Sequence, residues 1–147
     1  HAAALHDIGT ALSYSNHHAH GAYFIRNFDL LGFDQREVGV LAAIVYFHRK
    51  GQPKDRHPEL ARFDAETRRM IQQLAMFLRL AEGLDHSHLG LVQRAWFESR
   101  RPRHVIVVVE AAQDCPLEIW AVAHQEKTFR TVFRRGLEAE RRPPGKG

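Results

Sequence analysis

Leu5-His6-Asp7-Ile8-Gly9 puts a histidine and a carboxylate side by side where a helix ends, and the fold assignment depends on that pair. Hard or borderline divalent metals accept imidazole nitrogen and carboxylate oxygen together, so the two side chains can share one ion or serve two adjacent ones. Chance also produces this dipeptide often. Its weight comes from His18, His48 and Asp85, each of which falls on an otherwise apolar helical stripe. Polar groups do not sit on core-facing stripes without a partner.

Working outward, residues 1–8 read as the end of a helix stopped near Gly9. No initiator Met precedes His1-Ala2-Ala3-Ala4-Leu5 and no cap opens it, so the chain reads as a piece of a longer polypeptide. Ser15 or Asn16 caps a second helix running to about Asn27, with His18, Ala22, Ile25 and Asp29 on one side. Asp34 caps a third helix, Glu37 completes a capping box, and the expected buried stripe is Leu41, Ile44, Val45 and His48. The segment from Arg49 to Phe63 holds Gly51, Pro53 and Pro58 and reads as a polar loop. Asp64 opens a fourth helix whose 3.6-residue period picks out Ile71, Leu74, Leu78, Ala81 and Asp85, with a bend expected at Gly83. A short helical piece from Leu89 to Trp96 follows.

The character changes near Pro102. Val105-Ile106-Val107-Val108-Val109 is strongly β-prone. The alternation of Leu117, Ile119, Ala121 and Ala123 with Glu118, Trp120 and Val122 predicts a second strand. Glu126 to Arg135 reads as an amphipathic helix stopped by Gly136, and Leu137-Glu138-Ala139-Glu140 as a third short strand. The Pro/Gly-rich end from Arg141 to Gly147 is expected to fray. The fold class is therefore mainly α: a helical domain over residues 1–98, a small α+β unit of β-β-α-β order over 99–141, and a flexible tail over 142–147.

Composition narrows the function. In 147 residues, 44% hydrophobic content suffices for a core and 26% charge is ordinary for a globular domain. No apolar run approaches the roughly 20 residues of a membrane span. Cys115 is alone, which excludes an internal disulfide and makes a reducing, cytoplasmic setting the expectation. A net charge of +4 with 11 histidines favours polyanions, or is simply a solvated basic surface. No basic run interleaved with aromatics points to nucleic acid. No phosphate-binding Gly-x-x-x-x-Gly-Lys-Ser/Thr loop, Gly-x-Ser-x-Gly elbow or cysteine pair is present.

If the four helical stripes converge, His6, Asp7, His18, His48 and Asp85 meet at the bundle centre, as in helix bundles that hold metals on facing side chains. A divalent ion there, Mg, Mn, Fe or Zn, would neutralise the carboxylates and acidify a bound water, for which a phosphorus centre is the natural electrophile. The alternative is local: His6-Asp7 forms a helix-end hydrogen bond, and Asp85 caps the turn containing Ser87 and His88.

At these residues the chain resembles the HD superfamily of metal-dependent phosphohydrolases. His6-Asp7 matches the superfamily pair, Asp85 its last ligand, and His18 (or His17) with His48 the extra histidines of the binuclear branch; the first histidine of the pattern falls upstream of residue 1. The likeness is closer to the C-terminal HD-type domain of the Ppx/GppA family, the exopolyphosphatases and guanosine pentaphosphate phosphohydrolases. It rests on Ala3 to Gly9, Tyr14-Ser15-Asn16-His17-His18-Ala19-His20, Tyr23 to Asn27, Leu30-Leu31-Gly32-Phe33 and Tyr46-Phe47-His48-Arg49-Lys50, and on Leu117 to Trp120 and Phe129 to Leu137.

That resemblance implies an accessory domain. In the family the phosphate-releasing site lies in N-terminal domains of the actin-like ATPase type, absent from these residues. The C-terminal part helps to hold a polyphosphate chain and contributes dimer contacts. Arg49 and Lys50 after His48, Arg26, His17 and His20 are then the candidate phosphate-binding residues, with polyphosphate or a phosphorylated nucleotide as ligand. For Arg49 and Lys50 the local alternative is that they complement the negative end of their helix. Two other functions stay open: an autonomous phosphohydrolase acting on a phosphoester or nucleotide, and a non-catalytic dimerisation module.

Overall fold

A computed structural model describes residues 1–49, 51 and 53–145. The chain forms two compact units, His1–Leu78 and Arg79–Gly147. Among the described residues it is mainly helical, with one small sheet, as the sequence predicts.

The first unit is built around α3 (Gln35–Phe47). Its start is fixed locally: the Asp34 carboxylate accepts the Glu37 N–H at 2.8 Å while the Glu37 carboxylate accepts the Asp34 N–H at 2.9 Å. One flank of α3 (Val38, Leu41, Ala42, Val45) packs on Ala22 and Ile25 of α2 (His17–Asn27). The other flank (Ala43, Ile44, Phe47) packs on Leu60 of α4 (Pro58–Ala61), on Phe63, and on Ile71, Ala75 and Leu78 of α5 (Ala65–Leu84). Burying each such aliphatic or aromatic side chain stabilises the fold by roughly 1.5–3 kcal/mol. Ahead of them, α1 (Ala2–Leu5) and a 3-10 turn (Ile8–Ala11) make a corner against α2 and α3.

The predicted stripe of α3 is the observed one, with Leu41, Ile44, Val45 and His48 all buried. On α5 the expected stripe is displaced. Ile71 and Leu78 are buried, but Leu74 and Ala81 are exposed and Thr67 and Ala75 take their places inside. Hydrophobicity favours Leu74, yet the small Ala75 lets the helix approach its neighbours closely. Nor does Gly83 bend α5, which continues to Leu84. Gly83 instead sits against α6, where an added Cβ would lie 3.4 Å from Ala121 and Val122. The expected loop from Arg49 to Phe63 contains α4, opened by His57 and Pro58.

The second unit holds a sheet of order β1-β2-β3: β1 (Arg94–Arg101), β2 (His104–Glu110) and β3 (Gly136–Arg142), with α6 (Pro116–Ala123) and α7 (Glu126–Phe133) between β2 and β3. β1 and β2 are antiparallel; β2 and β3 are parallel from His104↔Gly136 to Glu110↔Arg142. As the central strand, β2 buries Val105 to Val109 on both faces, which is why its sequence is continuously apolar.

Two predicted elements are corrected here. Residues 117–123 are helix, not strand. Pro116 occupies the first helical turn, and Glu118, Ala121 and Val122 are buried at helical spacing while Leu117 and Trp120 face solvent. Leu89 to Trp96 contains no helix. His88 and Gly90 turn at positive φ, and the pairing with β2 draws Arg94 onward into a strand. β3 also runs through Arg141 and Arg142, beyond the predicted end, because β2 pairs with it there (Val109↔Arg141, Glu110↔Arg142), and Arg142 donates to both oxygens of Glu98 on β1 at 2.7 Å each. The last residues of the predicted tail, 146 and 147, lie outside the described residues. No helix among those described is long and apolar enough to cross a membrane.

Candidate metal centre

His6 and Asp7 stand at the corner between α1 and the 3-10 turn. Gly9 makes that corner possible. A Cβ at Gly9 would lie 2.0 Å from the His17 carbonyl oxygen and 2.5 Å from the Gly21 nitrogen, so main chain touches main chain there. The docking brings Asp7 to the first turn of α2 and to the C-terminal end of α3, where His48 is the cap residue.

The donor atoms converge. His17 Nε2 lies 3.1 Å from His48 Nε2 and 3.3 Å from Asp7 Oδ1, which is itself 4.0 Å from His48 Nε2. His6 Nε2 meets the other Asp7 oxygen at 3.1 Å. Donors around a tetrahedral ion with metal–ligand bonds near 2.0–2.1 Å are about 3.3 Å apart, so the spacing of Asp7, His17 and His48 fits one divalent cation. Both imidazoles are buried, whereas the Asp7 side chain is 50% exposed and leaves the centre open on one side.

The far side of each ring supports the same assignment. His6 Nδ1 lies 2.7 Å from the Ala3 carbonyl, His17 Nδ1 3.1 Å from that of Tyr14, and His48 Nδ1 2.6 Å from that of Val45. In all three the acceptor is the backbone three residues earlier. A ring that donates Nδ1–H to a carbonyl keeps its Nε2 lone pair free to ligate, the arrangement typical of metal-bound histidine. Burial, with lesser contributions from the neighbouring His17 and His6, lowers the His48 pKa to about 4 against the opposing pull of its Val45 hydrogen bond. His48 is therefore neutral near pH 7, the form that binds metal.

His17 Nδ1 has a second neighbour, Arg49 Nη1 at 3.0 Å. The Arg49 guanidinium also donates through Nη2 to the Tyr14 hydroxyl at 3.2 Å, and its Cζ lies 4.7 Å from the centre of that ring.

The remaining candidates are distributed as follows. Of the two histidines the resemblance left open, His17 joins the cluster. His18, one residue on and about 100° around the helix, is buried with its ring edge-on to Tyr46 at 5.5 Å. His20 is half-buried on α2. Arg26 forms an ion pair with Glu59 of α4, which commits its charge to packing two helices together. Lys50 lies outside the described residues. Asp85 belongs to the second unit, is exposed, and faces His88 Nδ1 at 3.6 Å. A recess of the first unit, about 950 Å³, is lined by Phe33, Arg36, Val40, Asp64, Thr67 and Met70 and by none of the expected ligands. Sequence reasoning missed Tyr14 and the packing role of Gly9. Helical phase does not separate His17 from His18, since Gly21 and Ile25 lie in line with the first, Ala22 and Ile25 with the second, and all are buried.

Comparison with known proteins agrees with this architecture. Residues 1–117 match the family model described as Ppx/GppA phosphatase, domain III. That match covers most of the chain, and the chain belongs to the Ppx/GppA phosphatase family. A guanosine-5'-triphosphate,3'-diphosphate pyrophosphatase of Pseudoalteromonas translucida (strain TAC 125) is 38% identical over 52 residues, which are 35% of this chain. The match spans 10% of that relative's length.

Proposed function

We propose that this chain is the accessory, metal-carrying domain of a Ppx/GppA-type phosphatase and that it contacts polyphosphate or a phosphorylated nucleotide for catalytic domains outside these residues. The observation that carries the reading is the common aim of His6, His17 and His48, each braced through Nδ1 by its own backbone so that Nε2 turns toward Asp7. Asp7, His17 and His48 would hold the ion, with His6 at the edge of the site. The chemistry such an ion supplies is positive charge for phosphate oxygens and acidification of bound water. The residues themselves do the rest. Asp7 offsets the ion's charge, the buried imidazoles keep their positions without reorganising, and Arg49 places a guanidinium behind His17, against its Nδ1.

The test is direct. Protein purified without chelator is analysed for metal, then titrated with sodium polyphosphate at two salt concentrations. The reading expects about one divalent ion per chain, lost in His48→Ala, and salt-sensitive polyphosphate binding weakened by Arg49→Ala but not by Ala substitution of the paired Arg26. Absence of both metal and polyanion binding would end it. The exposed edge at Asp7 also admits a second reading, an autonomous phosphohydrolase. That reading requires metal-dependent release of phosphate from a simple phosphoester by this chain alone.

A further inference from the structure

We propose that two neighbouring turns at one end of the sheet in the second unit, Arg101-Pro102-Arg103 and Arg134-Arg135, form a docking surface for a linear phosphate chain. The inference adds a contact on the second unit to the phosphate reading above and is independent of the metal centre.

The sheet brings the turns together. β1 passes into β2 through Pro102 and Arg103, with Arg101 paired to His104. α7 passes into β3 through Arg134 and Arg135, and β3 starts at Gly136 beside His104. The Gly136 N–H donates to the Arg103 carbonyl at 2.9 Å, which ties one turn to the other. Paired strands stand roughly 4.8 Å apart, so the arginines spring from one small area.

Their charges are uncommitted. Arg101, Arg103, Arg134 and Arg135 are exposed, and none of them forms an ion pair among the described residues. The carboxylates of the neighbouring strands are already engaged: Glu98 and Glu140 by Arg142 and Arg100, and Glu138 by His104 at 2.9 Å. Residue choice at two of the positions also runs against the backbone. Arg103 and Arg134 stand at φ 59 and φ 57, the left-handed region that favours glycine. Glycine is the usual residue after proline in such a turn and at such a helix end. Strain of this kind clusters at functional sites. Arg134 could merely complement the negative end of α7, but that does not account for Arg103, which lies on no helix.

Guanidinium forks match pairs of phosphate oxygens. Neither turn carries a phenyl, phenol or indole ring on which a base could stack, so the surface suits a bare phosphate chain rather than a single-stranded nucleic acid.

Sodium polyphosphate and a single-stranded oligoribonucleotide of similar charge are titrated over a salt series into wild type, Arg49→Ala and two double variants. Arg103→Gly with Arg134→Gly should weaken polyphosphate binding by about fivefold or more and lower the salt slope by roughly 1 to 2. Its thermal midpoint should stay level or rise, because glycine suits both left-handed positions. Arg101→Gln with Arg135→Gln should weaken binding similarly without touching those positions. Polyphosphate binding unchanged in both double variants overturns the proposal, and if Arg49→Ala alone weakens it, the reading above survives by itself. Weakened binding in the double variants with Arg49→Ala unaffected supports this surface and removes Arg49. Weakening accompanied by a lowered midpoint in both double variants makes the arginines structural and overturns it. An oligoribonucleotide bound as tightly as polyphosphate overturns the choice of ligand, and a wild type that binds no polyphosphate ends both readings.

Discussion

His17 Nε2 and His48 Nε2 face each other at 3.1 Å although 31 residues separate them in the chain. One ring stands on the first turn of α2, the other caps α3, and each is oriented by a carbonyl of its own helical turn. The pair therefore exists only while α2 and α3 are packed, which ties the centre to the core beneath it.

Removing either ring should abolish the centre without unfolding the unit. His17→Ala and His48→Ala are each expected to weaken divalent metal binding by at least about 100-fold, more than loss of an outer-shell partner. Calorimetric titration with Mn2+ or Zn2+ and a far-UV spectrum of each variant check this. Retention of one ion per chain in both variants would contradict it.

Gly9→Ala forces a Cβ into the main chain of α2, at 2.0 Å from the His17 carbonyl oxygen. Overpacking of this kind costs about 1–3 kcal/mol, and more where backbone must move. Urea unfolding should show that loss together with weaker metal binding. Gly21→Ala, whose Cβ would press the Val45 side chain at 3.1 Å and meet Gly9 N and Ile8 Cγ2 at an ordinary 3.5 Å, should be milder on both counts.

Asp34→Ala removes the capping bond to Glu37 and leaves the reciprocal Glu37 contact to hold the start of α3 alone. A loss of about 1 kcal/mol is expected by urea titration. Asn16 stands before α2 at φ 58 with no side-chain capping bond, so Asn16→Gly should change stability by less than about 0.5 kcal/mol.

Stability of the second unit should fall in acid. The bidentate Arg142 bond first, and the Trp96 N–H next, hold the Glu98 carboxyl at about 2, well below its ordinary 4.5. A depressed carboxyl stabilises the fold fully above its unfolded value, and that contribution disappears as pH drops from about 4.5 to about 2. Thermal unfolding followed by tryptophan fluorescence should lose stability across this window in wild type and less so in Glu98→Gln. Equal slopes would remove Glu98 from the account.

Much of the fold was legible because some signals are local. The capping box at Asp34 and Glu37, the stripe of α3, and the apolar run of β2 each follow from residues close in sequence. The misread segments depend on partners far away. Residues 117–123 alternate convincingly only if Trp120 and Val122 are treated as an outer face, and Pro116, a helix opener, decides otherwise. Arg94 to Phe97 become a strand because β2 supplies the pairing. For the site, His6-Asp7 and His48 could be recognised from type and position. The choice between His17 and His18 is a matter of 100° of helix rotation, which only the packing of α2 on α3 and on Gly9 settles. The place of Asp85 was not legible at all, since a carboxylate ending a helix looks the same in sequence whether it turns inward or, as here, faces His88 in solvent.

The braces behind His6, His17 and His48 are peptide oxygens of Ala3, Tyr14 and Val45, groups that every residue type possesses. Divergence at those three positions can therefore proceed while the imidazoles keep their heading, and lineages can drift in the surrounding residues without dismantling the chelating geometry. What such drift must preserve is the path of the main chain itself, above all the bare α-carbon at Gly9.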